Sequence, residues 1–146
     1  MKNKKAIIFG VTGQDGSYLA ELLLKKGYDV WGISRDASKS KLINLKKLGI
    51  DKKIYLVNVL NDDFQKLSNL ISELLPDEIY YLAGQSSVGL SFLEPKETIS
   101  SNVIGILNVL EVCRLISKKI RIYYAGSSEC FGDTAGIAAT EETNFH

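Results

Sequence analysis

The chain has 146 residues, enough for about one domain with its own core, and 45% of them are apolar, an ordinary share for a globular protein. The formal net charge of +1 gives no bulk attraction toward nucleic acid or a membrane surface, and no run approaches the roughly twenty apolar residues of a membrane span. The basic start Met1-Lys-Asn-Lys-Lys5 precedes an apolar stretch too short for a signal peptide, so a cytoplasmic location is expected. Charge is uneven, with 12 Lys/Arg against 5 Asp/Glu in residues 1–60 and 6 against 12 in residues 61–146. The basic cluster of Lys39, Lys41, Lys46, Lys47, Lys52 and Lys53 is not interleaved with aromatics and reads as solvated surface, not a nucleic-acid patch.

Strand and helix signals alternate in chain order. Residues 6–9 are an apolar strand that enters the turn Gly10-Val-Thr-Gly13-Gln-Asp-Gly16 and then a helix over 14–26, with Leu19, Leu22 and Leu23 on one face and Gly27 placed to end it. A strand, a glycine-rich turn and a helix N-terminus in that order form an anion site. The backbone can come close to a pyrophosphate, and unpaired N–H groups point at it. Further elements are a strand over 29–33, a lysine-rich helix over 38–48 closed by Gly49, a strand over 54–57, a helix over 62–75 stopped by Pro76, and a strand over 78–82. A polar stretch, 83–91, precedes a long helix over 95–117, followed by a strand over 121–125; residues 126–146 read as loop. Continuous apolar strands separated by helices indicate an α/β doubly wound parallel sheet of Rossmann type. Its expected order is 3-2-1-4-5, with the ligand crevice at the C-terminal strand ends between strands 1 and 4. Residues 1–132 are assigned to this dinucleotide-binding unit and 133–146 to a loop-like tail.

The second strand ends in Ile33-Ser34-Arg35-Asp36, where an NAD site usually places an acid for the ribose hydroxyls. Arg35 can pair with a 2′-phosphate through its planar fork, which favours NADP; Asp36 keeps NAD open. Small residues leave the fourth strand at Leu82-Ala83-Gly84-Gln85-Ser86, as a backbone beside a flat ring needs. Asn102, inside the long helix, can serve catalysis or bond neighbouring loops. The fifth strand leads into Ala125-Gly-Ser127-Ser128-Glu129, which puts hydroxyls and a carboxylate at the crevice mouth; a plain polar turn is the alternative. The single histidine, His146, excludes a Ser-His-Asp triad and a histidine zinc site within these residues. Cys113 and Cys130 lack metal-ligand spacing and are not expected to pair.

With two residues between each pair of glycines, the turn resembles that of the extended short-chain dehydrogenase/reductase superfamily. The string from Gly10 to Glu21 resembles the GDP-mannose 4,6-dehydratase family almost residue for residue, as do Pro76-Asp-Glu-Ile-Tyr80, Leu82-Ala-Gly-Gln-Ser86 and Ser127-Ser-Glu129. The resemblance covers essentially the whole chain, corresponding to the first two-fifths or so of such an enzyme. It implies an NADP-dependent lyase that removes water across C5–C6 of the mannose ring of GDP-mannose, and a homo-oligomer for the full-length protein. By position, Ser127 would hydrogen-bond the sugar 4-hydroxyl and Glu129 would take the C5 proton. The cofactor would lie against Gly10, Thr12, Gly13, Gln14, Asp15, Gly16, Arg35, Val59, Leu60, Leu82, Ala83, Gly84, Gln85, Ser86 and Ala125. No resident metal is implied.

Several positions depart from that family. Val59 stands where an aspartate commonly contacts adenine, Glu97 aligns with a tyrosine that borders the cofactor, and the loop after the second strand is short. The superfamily's acid/base pair is a tyrosine with a lysine four residues later. None of Tyr18, Tyr28, Tyr55, Tyr80, Tyr81, Tyr123 and Tyr124 has that lysine. The expectation is therefore the cofactor-binding part of a dehydratase whose Tyr/Lys helix and sugar-nucleotide domain would follow His146. Two other readings remain open: a non-catalytic NADP-binding module, and another nucleotide-sugar epimerase or dehydratase. Glu129 argues against the epimerases, which need no carboxylate base at C5.

Overall fold

The computed structural model describes residues 3–35 and 42–146. Five parallel strands, β1 (Lys5–Phe9), β2 (Asp29–Ser34), β3 (Tyr55–Asn58), β4 (Glu78–Tyr81) and β5 (Arg121–Tyr124), form one sheet in the order β3-β2-β1-β4-β5. This is the doubly wound order expected from the alternating pattern. The sheet divides the core in two because successive side chains on a strand point to opposite faces. Ala6 and Ile8 of β1 pack with Ala20 and Leu23 of α1 (Gln14–Lys25) and with Leu45 of α2 (Ile43–Lys47). Ile7 and Phe9 pack on the other face with Leu67 and Ile71 of α3 (Phe64–Leu74) and with Val109 and Val112 of α6 (Gly105–Leu115). Each of these β1 side chains is fully buried, as the central strand of a two-sided sheet requires.

The start of the lysine-rich helix expected over 38–48, together with Asp36, Lys39 and Lys41, lies outside the described residues; the helix is described from Ile43 to Lys47. α3 ends at Leu74, and Leu75 ahead of Pro76 turns left-handed at φ 46°. Its carbonyl accepts from Lys118 Nζ at 2.7 Å.

The polar stretch over 83–91 is not all loop. Ser87 caps a short helix, α4 (Val88–Leu93), by accepting from the Leu90 N–H at 3.3 Å. The single long helix expected from residue 95 is α5 (Pro95–Ile99), a π-helical turn (Ser100–Ile104) and α6. By length and composition alone, Pro95–Leu115 is long and apolar enough to cross a membrane, although polar residues interrupt its apolar run. Its inner stripe, Ile106, Val109 and Val112, packs against the sheet. Beyond β5, a 3-10 turn (Ser128–Phe131) lies within the segment expected to be loop. The tail folds back on this turn: the Phe131 and Phe145 rings sit 5.3 Å apart and the His146 N–H donates to the Cys130 carbonyl at 2.9 Å.

Charged groups gather at the N-terminal end of the sheet, opposite the crevice. Asp77 accepts from the Lys5 N–H at 2.8 Å and from Lys118 Nζ at 2.7 Å. The Lys118 ammonium, helped by the Lys5 N–H, holds its carboxyl below the ordinary value of 3.8. Burial pushes Glu78 upward, but hydrogen bonds from Tyr80, Tyr28 and Arg121 outweigh it and leave this carboxyl lowered too. A carboxyl lowered in the folded state contributes stability that is complete above its unfolded pKa and is lost as pH falls through the folded value. Asp77→Asn should therefore lower stability at pH 7, and the gap to the parent chain should close as the pH is taken below 3.8. Urea midpoints measured from pH 7 to pH 2 check this.

Candidate functional site

β1 runs directly into the turn that builds the site. Gly10 has φ +78°, a conformation that L side chains rarely adopt, and a Cβ there would come within 2.8 Å of the Leu82 carbonyl oxygen. A Cβ on Gly16 would collide with the Gly10 carbonyl. Glycine at these positions brings the first turn of α1 against the end of β1, and the end of β1 against the strand leaving β4. The Gly13 N–H closes the turn on the Gly10 carbonyl at 3.0 Å, and Asn44 Nδ2 of α2 donates to the Thr12 carbonyl at 3.1 Å.

Gly13 caps α1 without any side-chain hydrogen bond to the helix. The N–H groups of the first turn, around Gln14 and Asp15, have no intrahelical partner by helix geometry. The helix dipole adds positive potential at the same point. These features suit an anion in close contact with backbone.

Beside the turn lies a cavity of about 280 Å³ lined by Gly10, Thr12, Gly13, Ile33, Ser34, Arg35, Asn61, Leu82, Ala83, Gly84 and Ser101. It sits at the C-terminal ends of β1, β2 and β4, where strand order reverses, as the topology demands. Of the residues assigned to the cofactor from sequence, Gly10, Thr12, Gly13, Arg35, Leu82, Ala83 and Gly84 line this one cavity. Gln14, Asp15 and Gly16 stand on the adjoining helix turn, and Gln85 and Ser86 continue the strand-4 loop. The Val59 side chain lies in the core at 5% exposure, whereas the neighbouring Leu60 is exposed. Ala125, whose N–H donates to the Tyr81 carbonyl at 3.1 Å, leads out of β5 toward Ser127 and Glu129. These last two lie on the exposed segment beyond β5, outside the cavity lining. Ser127 Oγ accepts from the Glu129 N–H at 3.2 Å and so caps the 3-10 turn that carries the carboxylate.

Asn61 and Ser101 also line the cavity and were not singled out from sequence. The signal available for Asn61 was its place as a polar residue just past the apolar third strand. Nothing in the local pattern marks Ser101. It accompanies Asn102, for which the loop-bonding alternative holds in this structure. Asn102 Oδ1 accepts from the Gln85 N–H at 2.8 Å, and Nδ2 donates to the Gln85 carbonyl at 3.3 Å. The π turn that presents Asn102 is gripped by two phenols: Tyr81 donates to the Ser101 carbonyl at 2.8 Å and Tyr124 to the Asn102 carbonyl at 2.9 Å.

Tyr80 and Tyr81 are not suited to act as bases near neutral pH. Burial first, and Glu78 second, push the Tyr80 phenol up to about 12. Burial raises Tyr81 still further. Burial likewise pushes the Cys113 thiol up to about 11, away from nucleophilic use.

The sequence pattern described as GDP-mannose 4,6 dehydratase matches residues 7–146. The chain belongs to the GDP-mannose 4,6-dehydratase family. A relative from Vibrio cholerae named GDP-mannose 4,6-dehydratase is 38% identical over all of this chain and 41% of its own length. The chain thus spans about two-fifths of that family member. Among solved structures, the UDP-glucose 4-epimerase of Thermotoga maritima with UDP-glucose superposes with a TM-score of 0.83 at 24% identity. That match covers 97% of this chain and 44% of the epimerase. The Brucella ovis UDP-glucose 4-epimerase in complex with NAD gives 0.81 at 20% identity, over 98% and 42%. At these identities the two epimerases establish the fold and not the chemistry.

The Asn102 contacts generate a test. Asn102→Ala removes both bonds to Gln85, and at roughly 1 kcal/mol for each hydrogen bond should cost about 1–2 kcal/mol of stability. Asn102→Asp should not rescue, because a carboxylate oxygen would face the Gln85 carbonyl in place of a donor. Chemical denaturation of the three proteins measures both effects.

Proposed function

We propose that this chain is the cofactor-binding part of a GDP-mannose 4,6-dehydratase, with Ser127 and Glu129 as its contribution to the reaction. The observation that carries the reading is the glycine cradle. Side chains at positions 10 and 16 would strike the Leu82 and Gly10 carbonyls, so glycine lets these backbones pack closely and sets the turn beside the N-terminus of α1, which no side chain caps. That cradle fits a dinucleotide pyrophosphate, with Gly10, Thr12, Gly13 and Arg35 on one side and Leu82, Ala83 and Gly84 on the other. When bound, a nicotinamide dinucleotide supplies reversible hydride acceptance from a sugar carbon. NADP is the favoured form because Arg35, at the end of β2, offers a planar fork to a 2′-phosphate and residue 34 is a serine where NAD sites usually carry an acid.

Ser127 would hydrogen-bond the 4-hydroxyl of the hexose, and Glu129 would take the proton from C5 once C4 is a ketone. Glu129 is exposed on the short turn capped by Ser127, the next segment of chain beyond β5. The phenolic base needed at the 4-hydroxyl is not assigned to any of the seven tyrosines. Sugar-nucleotide binding and turnover belong to the whole enzyme, a cytoplasmic homo-oligomer on this reading.

Cofactor preference is tested by titrating the chain with each dinucleotide. NADP(H) should bind more tightly than NAD(H), and Arg35→Ala should bring the two affinities together. Equal affinities for the parent chain would remove the NADP assignment.

The role of Glu129 is tested in the full-length protein. In that protein Glu129→Gln keeps the side-chain shape and removes the basicity. It should lower turnover of GDP-mannose by about 10²–10⁴-fold, the usual contribution of one positioned acid or base. Solvent deuterium should no longer enter at C5. Unchanged turnover would reduce Glu129 to a loop residue.

A further inference from the structure

Arg35 does not stand alone at the end of β2. Its Nη1 is paired with Oε1 of Glu97, which reaches across from α5, 62 positions along the chain. Arg35 lines the cavity together with Ser34, so the pair stands at the margin where the adenosine ribose of a dinucleotide would lie. Both side chains are substantially exposed, Arg35 at 58% and Glu97 at 40%, so the pair is solvent-screened and its partners can be exchanged.

From this juxtaposition we propose that Glu97 is a specificity-determining residue for the ribose 2′ substituent and restrains the preference for NADP. The inference rests on the dinucleotide reading given above and deepens it. A 2′-phosphate carries close to two negative charges at neutral pH. To use the Arg35 fork it must take a position that the Glu97 carboxylate already occupies or borders. Glu97 opposes it in two ways: it competes for the guanidinium N–H groups, and its charge repels the phosphate. The 2′-hydroxyl of NAD meets neither penalty and can donate a hydrogen bond to a carboxylate. Glu97 thus brings to the end of β2, from a different element, the acid that this strand lacks at position 34.

The test is a calorimetric titration of the 146-residue chain and its variants with NADP+ and NAD+ at low and high salt. Glu97→Gln should tighten NADP+ by about three- to tenfold and leave NAD+ unchanged or weaker, the size expected for removing one screened, partly exposed charge. Raising the salt from 20 to 500 mM, about a fivefold drop in screening length, should shrink the gain. In the Arg35→Ala background the gain from Glu97→Gln should shrink, because competition for the fork is gone and only the repulsion between carboxylate and phosphate remains. Glu97→Ala serves as the second variant and should behave as Glu97→Gln does, with thermal unfolding of each variant as the check on folding. If both dinucleotides bind and the NADP+/NAD+ ratio is the same in the parent chain and both Glu97 variants, the inference is overturned and the cofactor site stands. If no protein in the series binds either dinucleotide, the cofactor reading itself fails and the inference falls with it.

Discussion

Two close backbone approaches at the end of β1 hold the site together: the bend at Gly10 beneath the Leu82 carbonyl and the seat of Gly16 on the Gly10 carbonyl. They bring three elements, β1, α1 and the strand leaving β4, nearer than any side chain would allow. The first turn of α1 then faces the gap between β1 and β4, and that gap is where the right-handed crossovers send the chain to opposite sides of the sheet. A parallel sheet of any sequence would place a crevice here. What this sequence adds is a crevice walled by backbone on two sides, with helix N–H groups left without a side-chain cap. Polar recognition by main chain needs no side-chain entropy to be lost on binding and suits an anion of fixed shape.

The two ends of the sheet divide the polar work. At the N-terminal ends of β1, β4 and β5, carboxylates meet cations and phenols directly: Asp77 with Lys118, and Glu78 with Arg121, Tyr28 and Tyr80. Those groups satisfy each other and leave little to offer a ligand. Among the described residues at the C-terminal ends, the polar groups lining the cavity are backbone N–H and C=O, small hydroxyls, Asn61, and the guanidinium of Arg35 with its partner Glu97. Similar strands thus carry stabilising charge pairs at one edge and a receptive surface at the other.

Much of this was legible in the sequence, because the features that make a buried parallel strand are local. Val30 and Ile33, or Ile7 and Ile8, form apolar runs whichever face they point to, and the sheet order follows from crossover handedness once the strands are known. The glycine cradle was legible for the same reason, since a strand, three glycines and a helix fall within a dozen residues. Features made by contacts distant in sequence were not. α4 is short and buries none of its residues: its apolar Val88, Leu90, Phe92 and Leu93 are all exposed, so no core packing marks it as a helix, and its clearest local signal is the Ser87 cap. The π turn depends on phenols from β4 and β5 reaching Ser101 and Asn102, 20 and 22 positions away. No helix propensity encodes that. The pairing of Arg35 with Glu97 is likewise invisible until α5 is placed beside β2.

The π turn ties these observations into one assembly. A regular helix from Pro95 to Leu115 would keep every carbonyl in its own ladder and would have to choose between packing α6 on the sheet and bringing Asn102 to the strand-4 loop. The one-turn widening lets both hold. Ile106, Val109 and Val112 stay in register with the core, and Asn102 still clamps Gln85 through donor and acceptor together. The phenols that grip the turn, Tyr81 and Tyr124, come from the ends of the two strands that lead into the Leu82–Ser86 loop and into the Ser127–Glu129 segment. The loop beside the cofactor crevice and the segment bearing the carboxylate are therefore referenced to one point on one helix. Their mutual position is set by three hydrogen-bonding side chains and does not rest on the flexibility of either loop.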